Sequence, residues 1–175
     1  MKSKLMVVSI LFFGVQVMAQ SNSVNTHKLG EKFGGGVIFY LDEAKEHGLI
    51  AAPTDQVAGS KWGCSHHKIE ASSLNDGLVN TKKIIEKCGA KTAAGICVNL
   101  TIGGFSDWYL PAIEELLLIY EQRMKIDGLT TNDYCSSSEY VDGGNDVWAV
   151  HFGRNGKRFY YNKSFPYSVR AIRKF

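Results

Sequence analysis

The chain is organised around one stretch, Gly103-Gly104-Phe105-Ser106-Asp107-Trp108-Tyr109-Leu110-Pro111. Its two glycines allow sharp turns or close backbone approach, and its Trp and Tyr bury large areas while keeping a polar group. The proline then favours the start of a helix. Apolar residues follow at helical spacing, at Ile113, Leu116, Leu117, Tyr120 and Met124. We therefore expect a central helix at Ile113–Arg123, with Trp108 buried at its entry and strands packed against it.

The amino terminus has the pattern of an export signal. Lys2 and Lys4 precede an apolar run from Leu5 to Val17, and Val17-Met18-Ala19 has residues small enough for cleavage by signal peptidase. The run is too short to span a bilayer comfortably, so no membrane insertion is expected. The sequence thus predicts a signal peptide at 1–19, a polar, flexible leader at 20–32 and one domain at 33–175. The expected location is secreted, periplasmic or at the cell surface.

The rest of the chain predicts an α+β domain. An amphipathic pattern indicates a first helix over about Leu74–Lys87, and Ala93–Leu100 is expected to be a short apolar link. Two short strands are expected early in the domain. After Gly128 the apolar residues alternate with period two, which predicts further strands. The expected strands are Val37–Leu41, Leu49–Ala52, Tyr134–Ser137, Val147–Phe152, Arg158–Tyr161 and Ser168–Arg173. Asn155-Gly156 between two of them is a strong hairpin signal. These patterns predict two helices packed on a mainly antiparallel sheet.

Four cysteines in an exported chain favour disulfides over free thiols. Three connectivities are possible for Cys64, Cys88, Cys97 and Cys135. Cys88 and Cys97 are close in sequence, so we expect them to form a local bridge, with Cys64 and Cys135 joining distant parts. The sequence therefore predicts no free thiol.

Charge is concentrated at the carboxyl terminus. The chain has a net charge of +3, but residues 151–175 contain seven basic side chains and no acidic one. They are Arg154, Lys157, Arg158, Lys163, Arg170, Arg173 and Lys174. A fixed positive region on a nearly neutral protein attracts anions.

An ordered set of motifs resembles a known family. They are Asn80-Thr81 before Cys88, Asp107-Trp108-Tyr109-Leu110-Pro111, Ser136-Ser137-Ser138-Glu139 and Val169-Arg170-Ala171-Ile172-Arg173, after a glycine-rich first strand at Gly34–Tyr40. Together they resemble the Lcl C-terminal domain family, a bacterial extracellular domain, over about Phe33–Phe175. The resemblance implies a C-type-lectin-like fold. In the collagen-like adhesin that names the family, this domain binds sulfated glycosaminoglycans and forms a trimer.

Two positions depart from the family pattern. Cys135 stands where the family commonly has Trp, which supports a bridge to Cys64. Ala112 replaces the usual Ser or Thr that caps the central helix, so Glu115 lacks its capping partner and the helix start is expected to be weaker by about 1 kcal/mol.

The main candidate site is the basic, aromatic segment after the predicted hairpin turn. Its predicted ligand-binding residues are Arg154, Lys157, Arg158, Lys163, Tyr160 and Tyr161. Sulfates and carboxylates prefer guanidinium and ammonium donors, and sugar rings can lie on aromatic faces. Strand alternation points neighbours such as Lys157 and Arg158 to opposite faces. The alternative is a solvated hairpin whose charges only balance the acidic part of the chain. A structural role is predicted instead for Asp107, Trp108, Pro111, Arg170 and Arg173.

The sequence favours neither a metal site nor a catalytic site. Cys64-Ser65-His66-His67 lacks the spacing of a zinc site, so a disulfide is the preferred interpretation. Glu139, Asp142, Asn145 and Asp146 could offer oxygens to calcium, but a glycine-rich turn is favoured and no cofactor is expected. No nucleophile motif or paired-carboxylate signature is present. Nucleic acid would suit the basic segment but is seldom the ligand of an exported protein.

The sequence therefore predicts an exported, non-enzymatic module that binds an anionic or sulfated polysaccharide in adhesion. The alternative function is a protein-binding module that uses the loops of the same fold. Salt dependence separates the two, because binding of a polyanion through a basic face weakens steeply with ionic strength.

Overall fold

The computed structural model of the protein describes residues 26–141 and 144–175. The predicted signal peptide and residues 20–25 of the predicted leader lie outside the described residues. Nine strands run in the order β1 (Lys32–Phe33), β2 (Gly36–Leu41), β3 (Gly48–Ala51), β4 (Val57–Ser60), β5 (Asp133–Glu139), β6 (Asp146–His151), β7 (Lys157–Asn162), β8 (Tyr167–Val169) and β9 (Ile172–Lys174). Between β4 and β5 lie α1 (Gly77–Cys88), α2 (Ala93–Val98), α3 (Ile113–Glu121) and a 3-10 helix (Arg123–Lys125).

The strands form two sheets. One has the order β1-β2-β3-β9 and the other β4-β8-β5-β6-β7. Every pairing is antiparallel except that of β5 with β8. The α+β class is confirmed, but the expectation of two helices on one sheet is wrong, because the described residues contain three α-helices and two sheets. Among residues 26–141 and 144–175, no helix has the length and apolar character needed to cross a bilayer.

Several element boundaries differ from the predicted ones for local reasons. Residues 93–100, expected as a link, contain α2, which begins where the Thr92 hydroxyl accepts a hydrogen bond from the Gly95 N–H at 3.0 Å. The single strand expected at Ser168–Arg173 is two strands in different sheets, since β8 pairs with β4 and β5 while β9 pairs with β3. The connection at Arg170–Ala171 thus joins the two sheets.

Part of the predicted leader contacts the folded domain. The backbone N–H of His27 donates to the Lys45 carbonyl at 3.2 Å. Its ring lies 4.3 Å from that of Phe33 and 5.1 Å from that of Phe175. His27 therefore packs against the first residue of the predicted domain, Phe33, and against its last residue, Phe175.

The organising stretch ties α3 to the first sheet. Trp108 has 1% of its surface exposed, and its indole N–H donates to the Phe105 carbonyl at 3.0 Å. Tyr109 exchanges two backbone hydrogen bonds with Ile172 of β9, at 2.8 and 3.0 Å. The helical stripe is only partly as predicted, because the helix ends at Glu121 and Met124 in the 3-10 helix is 89% exposed.

Side-chain oxygens from β5 and from α3 itself accept hydrogen bonds from the backbone N–H groups at the start of α3. The Ile113 N–H donates to the Ser138 hydroxyl of β5 at 3.0 Å, and the Ala112 N–H donates to the Glu115 carboxylate at 2.8 Å. That carboxylate also accepts from the Gly77 N–H at 3.0 Å and the Tyr109 hydroxyl at 3.0 Å. Burial raises the pKa of Glu115. Ser138 thus satisfies the Ile113 N–H, and Glu115 makes its half of the capping box although Ala112 has no side-chain oxygen to make the other half. The expected weakening of the helix start by about 1 kcal/mol stays a prediction.

The predicted disulfide pairing is also wrong. Cys64 is bonded to Cys88, with their Cα atoms 5.5 Å apart, while Cys97 and Cys135 are free thiols. Cys88 is the last residue of α1 and meets the partly exposed loop that holds Cys64. Cys97 lies on the buried side of α2 and Cys135 on β5, and both belong to the same hydrophobic core cluster.

Peptide mapping after alkylation without reduction should find Cys64 linked to Cys88. The other two thiols should react only after denaturation, because burial raises the pKa of Cys97 and raises that of Cys135 to about 12. Recovery of a Cys88–Cys97 or Cys64–Cys135 peptide would contradict this pairing.

Candidate functional site

Most of the carboxyl-terminal positive charge is neutralised within the protein. Five of the seven basic side chains of residues 151–175 form ion pairs with acidic side chains from earlier in the chain. The pairs are Arg158–Glu114, Lys163–Glu139, Arg170–Asp55, Arg173–Asp107 and Lys174–Asp76. Within the described part of the chain, Arg154 and Lys157 have no acidic partner, and both are exposed. These two cations are the part of the carboxyl-terminal positive charge that remains unpaired.

Lys163 does not belong to a surface site, contrary to the prediction. Its side chain is fully buried, and its ammonium group donates to the Glu139 carboxylate at 2.5 Å. It also donates to the carbonyls of His67 at 2.6 Å and Gly144 at 2.7 Å, and lies 4.8 Å from the ring of Trp62. Three oxygens from separate segments thus surround this ammonium, which joins three parts of the chain.

The remaining predicted residues of β7 lie on two faces of the sheet. Arg158 is opposite Val150 of β6, which packs in the core cluster around α3. Lys157 is opposite His151, and Tyr161 is opposite Val147 in the other core cluster. Directly opposed residues share a face, so Lys157 and Arg158 point away from each other. The six predicted ligand-binding residues therefore do not form one surface.

The α3 face of the sheet carries an aromatic shelf, formed by Tyr140, Trp148 and Tyr160. The rings of Tyr140 and Tyr160 are stacked with centroids 3.8 Å apart, and Trp148 is perpendicular to both. The Arg158 guanidinium lies 5.5 Å from the Trp148 ring and pairs with Glu114 at 3.1 Å. Tyr160 and Arg158 are thus engaged with neighbours on this face.

The two unpaired cations lie within residues 153–157, which we call the basic turn and which run from the β6–β7 connection to the first residue of β7. Asn155 and Gly156 both have positive φ, at 54° and 66°. A Cβ on Gly156 would lie 2.2 Å from the ring of Tyr120, so glycine is required where the turn rests on α3. The guanidinium of the exposed Arg123 lies 4.1 Å from the centroid of the same ring and adds a third cation near the turn.

A polar cleft of about 630 Å³ opens beside the basic turn. Its lining includes Asn132, Asp133, His151, Arg154, Phe165 and Ser168. Gly153 closes one side, because a Cβ there would lie 2.7 Å from the Thr131 carbonyl.

A hydrogen-bonded carboxylate–imidazole pair lies in this cleft. Asp133 and His151 are directly opposed on β5 and β6, and the His151 Nδ1 and an Asp133 carboxylate oxygen are hydrogen-bonded. The imidazole is stacked on Phe159, with centroids 3.6 Å apart and planes 5° from parallel. Both side chains are partly accessible, with 19% of His151 and 28% of Asp133 exposed. The strands and the Phe159 ring therefore fix an imidazole at the surface of the cleft.

The five residues with a predicted structural role have internal contacts. Arg173 donates to both oxygens of the Asp107 carboxylate, at 2.7 and 2.9 Å, and these hydrogen bonds lower the pKa of Asp107. Arg170 is buried against Asp55 and donates to the Ala52 carbonyl at 2.7 Å. The carbonyl of Pro111 accepts from the Ser137 N–H at 2.7 Å. Trp108 packs in the core as described above.

Two of the four residues considered for calcium, Glu139 and Asn145, have side-chain oxygens that accept hydrogen bonds from other groups of the protein. The Glu139 carboxylate accepts from Lys163 and from the backbone N–H groups of Ile69 and Glu70. The Asn145 side-chain oxygen accepts from the His66 N–H at 3.0 Å. Asp142 lies outside the described residues. Glu139 therefore has a lysine ammonium as its counter-ion.

Sequence reasoning missed His151, Asp133 and Arg123. A single histidine at the end of a predicted strand has no distinctive spacing. Its partner Asp133 is 18 residues earlier, so only the register of β5 and β6 brings them together. The one available signal was the position of His151 just before the Asn155-Gly156 turn.

Comparison with known proteins supports the resemblance drawn from the motifs. The chain matches none of the curated proteins with which it was compared. The family model described as the Lcl C-terminal domain matches residues 52–173. This range includes α1 to α3 and all five strands of the second sheet, but of the first sheet it includes only β9 up to Arg173. The matched region also contains the polar cleft and the basic turn. The chain therefore belongs to the Lcl C-terminal domain family.

Proposed function

We propose that the protein is an exported, non-enzymatic module that binds an anionic or sulfated polysaccharide at the basic turn and the adjoining polar cleft. The observation that carries the proposal is that Arg154 and Lys157 remain exposed and unpaired in the described chain, while the other five carboxyl-terminal cations are paired. Family membership supports it, since the resemblance implies glycosaminoglycan binding. We also propose the C-type-lectin-like fold on that ground.

Cations of this kind suit a sulfated chain. The Arg154 guanidinium can hold a sulfate or carboxylate through two parallel hydrogen bonds, and the Lys157 ammonium adds a point charge nearby. Each exposed contact contributes only about 1 kcal/mol or less, so binding requires several contacts together. Arg123 beside the turn and polar groups in the cleft supply further contacts.

An aromatic side chain shares the face of Lys157. Tyr161 is 53% exposed and lies edge-to-face with Phe165, whose side chain lines the cleft. The apolar face of a sugar ring can pack against such a ring while its charged groups meet the cations. Tyr160 and Arg158 lie on the opposite face and are left out of this site.

The double variant Arg154→Ala with Lys157→Ala should elute from a heparin column at clearly lower salt than the parent protein. Its melting temperature should change little, because neither side chain has an ion-pair partner in the described chain. The matched control is Lys82→Ala with Lys91→Ala, which removes two exposed charges at α1 and in the connection before α2. The control should elute close to the parent.

Equal loss of retention in both double variants would show that net charge, rather than the basic turn, governs binding. Parent-like retention of the Arg154 and Lys157 variant would show that the turn is only a solvated surface. Either result would reject the proposed site.

A further inference from the structure

We propose that Asp133 and His151 form a proton-linked subsite for one anionic group of the polysaccharide. This inference rests on the proposed function and assigns a pH-dependent role to the polar cleft. The anionic group is a sulfate or a carboxylate, since both accept hydrogen bonds from a protonated imidazole.

The hydrogen bond to Asp133 determines which imidazole nitrogen faces a ligand. The His151 Nδ1 is held by the Asp133 carboxylate, so its N–H donates there. In the neutral ring the other nitrogen, Nε2, is then an acceptor and repels an anion. In the cationic ring Nε2 carries a proton and becomes a donor. An anion in the cleft therefore favours the imidazolium, and protonation favours the bound anion.

Other charged groups around His151 are consistent with this role. The carboxylate of Asp133 comes from β5, Lys157 lies opposite on β7, and Arg154 follows in the basic turn. The remaining elements that line the cleft contribute the uncharged Ala58 and Ser168. The Asp133 carboxylate balances the imidazolium, while Arg154 and Lys157 add to the attraction of an anion.

The arrangement is rigid enough to act as a site. Stacking on Phe159 and the Asp133 hydrogen bond hold the imidazole from two directions. In the adjoining wall, the Asn132 side-chain amide donates to the Ser168 hydroxyl at 3.1 Å, which leaves the hydroxyl proton free to donate into the cleft. A sulfate or carboxylate bound in the cleft would thus meet the His151 imidazolium and the Ser168 hydroxyl as donors held in fixed orientations.

The test compares affinities at pH 5.5 and pH 8.5, a range over which histidines change charge while Lys and Arg stay protonated. A heparin-derived hexasaccharide carries sulfates and carboxylates, and a hyaluronan hexasaccharide carries carboxylates alone. The parent should bind at least one probe about tenfold more tightly at pH 5.5, as expected for one charge-assisted hydrogen bond. A gain with heparin alone assigns the subsite to sulfate, and a gain with both assigns it to either group.

His151→Gln should lose this gain, whereas the control His47→Gln, at an exposed histidine in the β2–β3 connection, should keep it. Calorimetry of the parent at pH 7 in two buffers of different ionisation enthalpy should also show proton uptake on binding. An unchanged gain in His151→Gln, or binding by the parent without proton uptake, would overturn the subsite and leave the proposed function standing. Failure of the parent to bind either probe at either pH would reject both.

Discussion

Replacing Lys163 with Met should lower the free energy of unfolding by about 3–5 kcal/mol, because it leaves a buried carboxylate without its counter-ion. Glu139 is only 3% exposed and would retain just the N–H groups of Ile69 and Glu70 as donors. The carbonyls of His67 and Gly144 would each lose a donor as well. Urea denaturation followed by circular dichroism measures the loss.

The double variant Glu139→Gln with Lys163→Met is the control for the charge. It removes the unpaired carboxylate, so it should recover part of the stability lost by Lys163→Met alone. A loss below about 1 kcal/mol in the single variant would be typical of an exposed ion pair and would contradict the buried position of Lys163.

Replacing Trp108 with Ala should lower the free energy of unfolding by about 3–5 kcal/mol, the usual cost of removing a buried aromatic side chain. Trp108 is 1% exposed, and its indole hydrogen bond to Phe105 holds the turn before α3. The matched control is Met124→Ala, which truncates a side chain that is 89% exposed and should change stability by less than about 0.5 kcal/mol.

Thermal unfolding of the two variants provides the comparison. A Trp108→Ala protein with an unchanged melting temperature that no longer binds polysaccharide would contradict the core role. It would indicate instead that Trp108 is a platform for sugar.

The period-two alternation of the sequence was enough to predict which side chains of a strand share a face of the sheet. Alternation predicted that Lys157 and Arg158 point to opposite faces, and their partners on β6 show this arrangement. It could not place Lys163, which follows the last residue of β7 and enters a turn where alternation no longer applies. Its partner Glu139 is 24 residues away and has no local signal.

The cysteine pairing failed because a helix was missed. Ala93–Val98 is too short and too rich in small residues to show an amphipathic pattern, so Cys97 appeared to lie in a link near Cys88. As part of α2, Cys97 instead faces the core, and Cys88 is left to meet Cys64.

The candidate site was predictable only in outline. The basic composition of residues 151–175 pointed to the right part of the chain, and Arg154 and Lys157 remain its available cations. Ion pairing could not be foreseen for the other charges, because their acidic partners lie far away in sequence, as Asp55 does from Arg170. The cleft depends on the register of β5 with β6, which brings Asp133 to His151.

The most direct test of the central claim, that the basic turn and polar cleft bind a polyanion, is to map the contact on the protein itself. A heparin-derived hexasaccharide is titrated into ¹⁵N-labelled protein and amide chemical shifts are followed. Saturable changes should concentrate at residues 131–133 and 151–157 and should weaken as salt is raised. Absence of saturable changes, or changes confined to α1 or to the aromatic shelf, would contradict the proposed site.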